Sequence, residues 1–274
     1  MESTSHASAP FRQKARGVKW EIRQFKQAAR RLLAALFDSS YWASDGRLLK
    51  LRDQYRGQQC VIIGNGPSLR KTNMPLLKGR HTFGMNRIYL GLEDFGFTPS
   101  FYVCVNNLVL EQCWDEIVQL PMLKFLSSRC GTRESGRTDL VYLRSNSVPE
   151  MLLYFSGNPL AGIWEGHTVT YVALQLAFWM GFQKVMLVGV DHSFATKGEP
   201  NKEIVSQEGD PNHFSPKYFD KGFRWHLPDL EGSETAYHMA RYAFGKAGRE
   251  IVDCTVGGQL QVFRKSSLEV ELAP

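Results

Sequence analysis

The sequence predicts an α/β fold, a Rossmann-like and mostly parallel sheet with helices on both faces, preceded by a basic amphipathic helix. Short runs rich in Val, Ile and aromatic residues alternate with longer segments of helical spacing, the pattern of parallel strands joined by crossover helices. The first such run, Cys60 to Ile63, ends in Gly64-Asn65-Gly66-Pro67-Ser68-Leu69. Later apolar runs also finish in polar residues, at Asn86, at Asn106 and at Asp191-His192. Sheets of this kind collect ligands at the carboxyl ends of their strands, so a shared polar edge is a functional expectation as well as a structural one.

Composition sets the bounds. A chain of 274 residues with 43% hydrophobic content can bury a large core, which excludes a mainly disordered protein. No run of 18 uncharged apolar residues occurs, which excludes a spanning helix. The net charge of +6 is local: between residues 11 and 31, Arg12, Lys14, Arg16, Lys19, Arg23, Lys26, Arg30 and Arg31 face Glu21 alone. The rest is near neutral, so no basic face for nucleic acid is expected. Cys60, Cys104, Cys113, Cys130 and Cys254 are odd in number and form no CxxC pair, which reads as free thiols in a reducing compartment. With only Leu32 to Phe37 apolar near the start, no secretory signal is read and a cytoplasmic location is expected.

Taken in order, residues 1–10 are Ser/Ala-rich and expected to be disordered. Val18, Ile22, Phe25, Ala29, Leu32, Leu33 and Leu36 step by threes and fours, one face of a helix whose other face is Lys and Arg. Such a helix, over residues 11–37, could rest on an anionic membrane surface or pack on the body with its basic face in solvent. A boundary is expected near Asp38–Gly46, giving a segment 1–45 and a catalytic domain 46–274. Further strands are expected at His81–Met85, Ser100–Val105, Leu140–Leu143, Lys184–Val190 and Glu250–Cys254. Helical spacing covers Tyr89–Phe95, Leu108–Leu120, 168–181 and 233–248; the third is apolar all round and therefore buried. Residues 194–232 read as a long, lid-like loop.

Gly64-Asn65-Gly66-Pro67-Ser68 lacks the third glycine of a dinucleotide fingerprint and the Lys of a P-loop. It reads either as a tight turn or as a loop whose backbone N–H groups approach a phosphate. Asn86 and Asn106 could read the uncharged parts of a sugar or base, or serve as turn residues. Thr168 and Thr170 open the buried helix as caps or as an anion site. His213 in the lid-like loop is the preferred general base, with His192 and His226 as secondary candidates and Tyr218 as a phosphate partner. Asp191 could hold a single Mg²⁺ through substrate phosphates.

Val61 to Leu69, with Gly84-Met85-Asn86, Val105-Asn106, Glu111-Gln112 and Gly181-Phe182 through Val188-Gly189-Val190-Asp191, resembles two related groups over roughly residues 58–255. One is the small bacterial CMP-sialic-acid transferases. The other is the 6-hydroxymethylpterin diphosphokinase MptE-like domain shared with motility-associated-factor flagellin glycosyltransferases. The resemblance to the transferases implies that Asn65, Asn86, Asn106, Thr168 and Thr170 hold CMP, that His213 deprotonates the acceptor, and that Tyr218 steadies the leaving phosphate. It implies an inverting glycosyltransferase moving a sialic-acid-like nonulosonate or Kdo from a CMP donor to a surface-glycan acceptor, with no metal required. The diphosphokinase branch implies pyrophosphate transfer from ATP to a pterin alcohol with Mg²⁺. A non-catalytic nucleotide-binding or membrane-associated module is the third expectation, and for the transferase a peripheral place on the inner membrane face is expected.

Overall fold

The computed structural model describes residues 39–131, 134, 136–146, 154–207 and 209–273. The expected disordered start and the basic helix at 11–37 lie outside the described residues. The chain divides into a unit ending at Ala43 and a second, Ser44–Pro274, which holds the sheet.

Eight parallel strands form that sheet: β1 (Gln59–Ile63), β2 (Thr82–Met85), β3 (Phe101–Cys104), β4 (Leu123–Ser127), β5 (Leu140–Leu143), β8 (Lys184–Val188), β11 (Glu250–Asp253) and β12 (Arg264–Lys265). Their spatial order is β12-β11-β8-β1-β2-β3-β4-β5. From β1 the chain adds β2 to β5 outward on one side, then returns to place β8 against the other side of β1, with Ile63 opposite Val188. The order therefore reverses between β1 and β8, and the crevice beyond their carboxyl ends is the topological switch point.

Period-two alternation sends Cys60 and Ile62 to one face and Val61 and Ile63 to the other, and each face has its own core. The first is covered by α1 (Ser39–Leu51) through Leu48 and Leu51, by α5 (Val169–Trp179) and by α6 (Leu230–Lys246). The second is covered by turns after β1 and β2, by α2 (Leu92–Phe95), α3 (Asn107–Gln112), α4 (Trp114–Gln119) and α7 (Leu268–Glu271). Helices on both faces are thus observed. Buried Gln175 of α5 accepts from the Ser156 and Trp164 N–H groups and donates to Trp164 O at 2.7 Å and Tyr171 O at 3.1 Å. That clamp fixes β7 (Ile163–Trp164), which pairs with β6 (Ser145–Asn146), directly ahead of the turn into α5.

Besides the short β6, β7, β12 and α7, which were not expected, three regions differ from the sequence expectation. Strand β4 was not expected, because Lys124 interrupts its apolar run. The side chain is fully buried, and its ammonium donates to Leu120 O, Met122 O and the Asp139 carboxylate within 2.9 Å, which satisfies it locally. The helix expected over 108–120 is two short helices, because the chain leaves helical geometry at Cys113 (φ −126°, ψ 23°). The stretch 194–232 is more than a loop: β9 (Glu203–Val205) and β10 (Arg224–His226) form an antiparallel ribbon, and Phe214, Tyr218, Phe219, Trp225 and Leu227 are buried in the second core. Its aromatic residues anchor it on that face of the sheet.

Candidate active site

A cavity of about 570 Å³ opens at the switch point. Gly64 and Gly66 form one wall, pressed against the segment after β8. A Cβ on Gly64 would overlap Gly189 O, and one on Gly66 would overlap the Asp191 carboxylate. This close approach makes glycine obligatory at both positions and differs from the phosphate-cradle expectation. Gly64 N–H donates to Val188 O and Gly66 N–H to Gly189 O, while Ser68 donates its N–H and its hydroxyl (2.6 Å) to Asp191. The N–H groups of Gly64, Gly66 and Ser68 are therefore used within the protein. Pro67 and Ser68 do not line the cavity, although Asp191 does. Burial raises the Asp191 carboxyl above its ordinary range, against the hydrogen bonds from Ser68.

The three asparagines converge on this one cavity. Asn65 donates through Nδ2 to Met85 O at 3.1 Å, and its Oδ1 is buried with no hydrogen-bond partner. Asn86 stands in left-handed geometry (φ 49°), its carbonyl receiving the Tyr102 hydroxyl at 2.6 Å, and its Oδ1 is likewise unpartnered. Asn106 is more constrained than expected. Its Oδ1 caps α3 by accepting from Leu108 N at 2.9 Å and Val109 N at 3.3 Å, so only its NH₂ remains to donate. The indole N–H groups of Trp164 and Trp225, which also line the cavity, are buried without partners. Buried polar groups are ordinarily paired, so their gathering here marks a surface shaped for polar ligand atoms.

His213 lines the same cavity and is 8% exposed. Its Nδ1 is 2.7 Å from Asp210 Oδ2, and Asp210 Oδ1 accepts the Asn212 N–H at 2.8 Å. A carboxylate only accepts, so Nδ1 carries the proton and the Nε2 lone pair is free. The imidazole stacks on Tyr218 (centroids 3.8 Å apart, planes at 9°). Burial raises the Tyr218 phenol, against Arg87 first and the Asn86 side chain last, so it stays a neutral donor. The backbone here is tied to the first strands: Phe214 N–H donates to Asn65 O, Arg70 donates to the Phe214 and His213 carbonyls, and Arg87 to those of Lys217 and Tyr218.

Thr168 caps α5, its hydroxyl accepting from Thr170 N at 3.3 Å and lying 3.2 Å from the Tyr237 hydroxyl; both threonines line the cavity. His192 (φ 53°) and His226 line it as well, near Glu234 and Glu203. Across the cavity Arg129 pairs with Glu165 at 2.6 Å, and burial raises the Glu165 carboxyl against that arginine. Sequence reading missed Asp210, Arg70 and His167. The Asp-x-x-His spacing at 210–213 was a visible signal for the first; Arg70 is contributed across more than 140 positions and left none.

Fold and site together define a doubly wound α/β protein with a ligand crevice at its switch point, walled by neutral amides and by a carboxylate-held imidazole. The chain belongs to the 6-hydroxymethylpterin diphosphokinase MptE-like family, which matches residues 38–197. Asp210, His213, Tyr218 and His226 fall beyond the matched segment. No curated protein matches. Among solved structures it is similar to one described as a MAf glycosyltransferase from Magnetospirillum magneticum AMB-1, at 17% identity and a TM-score of 0.48, over 79% of this chain and 35% of that one. This chain thus spans about a third of that protein's length.

Proposed function

We propose that the chain is an inverting glycosyltransferase that moves an acidic sugar, a sialic-acid-like nonulosonate or Kdo, from a CMP donor to a surface-glycan hydroxyl. The observation that carries this reading is the Asp210–His213 pair stacked on Tyr218 at the wall of the asparagine-lined cavity. His213 Nε2 takes the acceptor's proton as its oxygen attacks the anomeric carbon. The bond from that carbon to the phosphate oxygen breaks, and CMP leaves with the electron pair. The Tyr218 hydroxyl donates to the departing phosphate. Asn65 and Asn86 offer acceptors and Asn106 a donor, a set suited to ribose hydroxyls and the amino and carbonyl groups of cytosine. Among the described residues lining the cavity Arg129 is the sole Lys or Arg, and it is paired, which favours a donor of low phosphate charge over a triphosphate.

The family match favours a second reading, pyrophosphate transfer from ATP to a pterin alcohol with Mg²⁺. Among the described residues no three His, Cys, Asp or Glu side chains gather as a metal set, and both Asp191 oxygens accept from Ser68. The described residues do not fit a protein-held cation. Calorimetry with CMP, CDP, ATP and GTP, each with and without Mg²⁺, decides. Metal-independent CMP binding supports the transferase, binding of Mg·ATP alone supports the diphosphokinase, and no binding at all supports a non-catalytic module.

No helix among the described residues is long and apolar enough to cross a membrane. A cytoplasmic enzyme resting on the inner membrane face through residues 11–37 is the location we propose. Liposome sedimentation with and without residues 1–37 tests it, and equal partitioning would refute it.

A further inference from the structure

A second histidine is built into the same cavity with more care than a turn residue needs. His167, between β7 and α5, lines the cavity in left-handed geometry (φ 59°) that non-glycine residues rarely adopt. Its Nδ1 lies 3.1 Å from Asp229 Oδ2. That carboxylate is itself held, Oδ1 by the Gly232 N–H at 2.9 Å and Oδ2 by the Asn201 amide at 3.3 Å. The ring lies against Gly232, where a Cβ would come within 2.7–2.9 Å of three of its atoms. Gly232 stands in the first turn of α6, where the absence of a side chain makes room for the imidazole. On the chain side, Gly166 (φ 54°) could carry no Cβ without striking Tyr171 and Ala236, which seats the turn. No described side chain hydrogen-bonds to its Nε2. The turn begins at Trp164, whose buried indole N–H has no partner, and ends at the first turn of α5, where Thr168 takes up the Thr170 N–H through its hydroxyl and the Tyr171 N–H through its carbonyl.

We propose that His167, braced by Asp229 and seated on Gly232, forms the phosphate-binding subsite of the cavity. With Nδ1 turned to Asp229, Nε2 shares a proton with a phosphate oxygen, and the positive end of α5 reinforces it. This replaces the function first expected of the glycine turn, whose N–H groups at Gly64, Gly66 and Ser68 bind backbone and Asp191 instead. It also accounts for a cavity that lacks an unpaired lysine or arginine among its lining residues. It rests on the proposed function only in naming the phosphate as a nucleotide's.

Two titrations separate this subsite from that reading. In protein with isotope-labelled histidine, the His167 imidazole signal, assigned by its loss in His167→Gln, is followed as inorganic phosphate is added. The expected result is a saturable shift of His167 that is absent in Gly232→Ala, where the added methyl displaces the ring. An unmoved His167, or an equal shift at the exposed His226, overturns the subsite. In parallel, CMP and cytidine are titrated calorimetrically. His167→Gln should weaken CMP about ten- to hundredfold, the worth of a charge-assisted hydrogen bond, and leave cytidine unchanged. An unaltered CMP-to-cytidine ratio refutes the role of His167. Wild-type protein that responds to phosphate and ignores CMP refutes the CMP donor while leaving the subsite standing.

Discussion

Replacing Asp210 by Asn changes almost no volume and tests the core of the catalytic reading. In the native protein Asp210 accepts twice, from His213 Nδ1 at 2.7 Å and from the Asn212 N–H at 2.8 Å. An asparagine has one acceptor oxygen. If that oxygen keeps the Asn212 N–H, its NH₂ faces His213 and requires a lone pair on Nδ1. The proton then moves to Nε2, the atom that must accept the substrate's proton. The expected loss in sugar transfer is about 10²–10⁴-fold, the usual worth of a general base. Stability falls as well. A hydrogen bond to a charged partner contributes roughly 1.5–3 kcal/mol, and each kcal/mol moves the midpoint of a chain this size by roughly 2–4 °C, so the melting temperature should drop by roughly 3–12 °C. Nitrogen NMR of the imidazole should show the Nδ1–H tautomer in wild type and Nε2–H in Asp210→Asn, with calorimetry giving the melting shift. A wild-type His213 protonated on Nε2, or a tautomer indifferent to the substitution, would refute the reasoning.

Other perturbations follow from the same geometry. Gly66→Ala drives a methyl into the Asp191 carboxylate that secures Ser68 and should lower the unfolding free energy from denaturant titration by about 1–3 kcal/mol, the usual range for overpacking; an unchanged value would show that the loop yields freely. Arg70→Ala releases the His213 and Phe214 carbonyls, so transfer should slow by about tenfold or more, as when a base is misplaced, with nucleotide affinity unchanged; a change in affinity alone would contradict a positioning role. Hydrogen bonds from Arg264, then Lys184, hold the Glu271 carboxyl down to about 2. Because its folded value is depressed, its contribution is complete above the ordinary glutamate range and is lost as pH falls toward 2. Glu271→Gln should therefore lower the melting temperature at pH 7 and approach wild type near pH 2; parallel curves across that window would show that the pairs add nothing.

The alternating Val/Ile-rich runs were enough to recognise a parallel sheet, because a strand buried on both faces leaves a continuous apolar mark. The mark fails where a polar group is satisfied locally, as at Lys124, whose strand reads as a break until its three oxygen partners are seen. It fails again at 203–226, where the β9–β10 ribbon is too short to show a period and is held by aromatic packing. The candidate site was legible at strand ends and in one polar, aromatic loop: Asn65, Asn86, Asn106 and Asp191 line one cavity with the loop residue His213. What each can offer was not legible. Asn106 gives its oxygen to a helix cap, and Ser68 gives both donors to Asp191.

From its residues alone the chain determines which segments become strands and that several end in amides and imidazoles, because side-chain period and strand chemistry are local properties. Tertiary structure decides that β8 returns to lie beside β1, and so brings Asp191, His167 and Asp210–His213 around asparagines contributed from far earlier in the chain. It also decides which of their donors and acceptors remain open. Those outcomes depend on partners supplied across the fold, and a hydrogen bond already made is no longer available to a ligand.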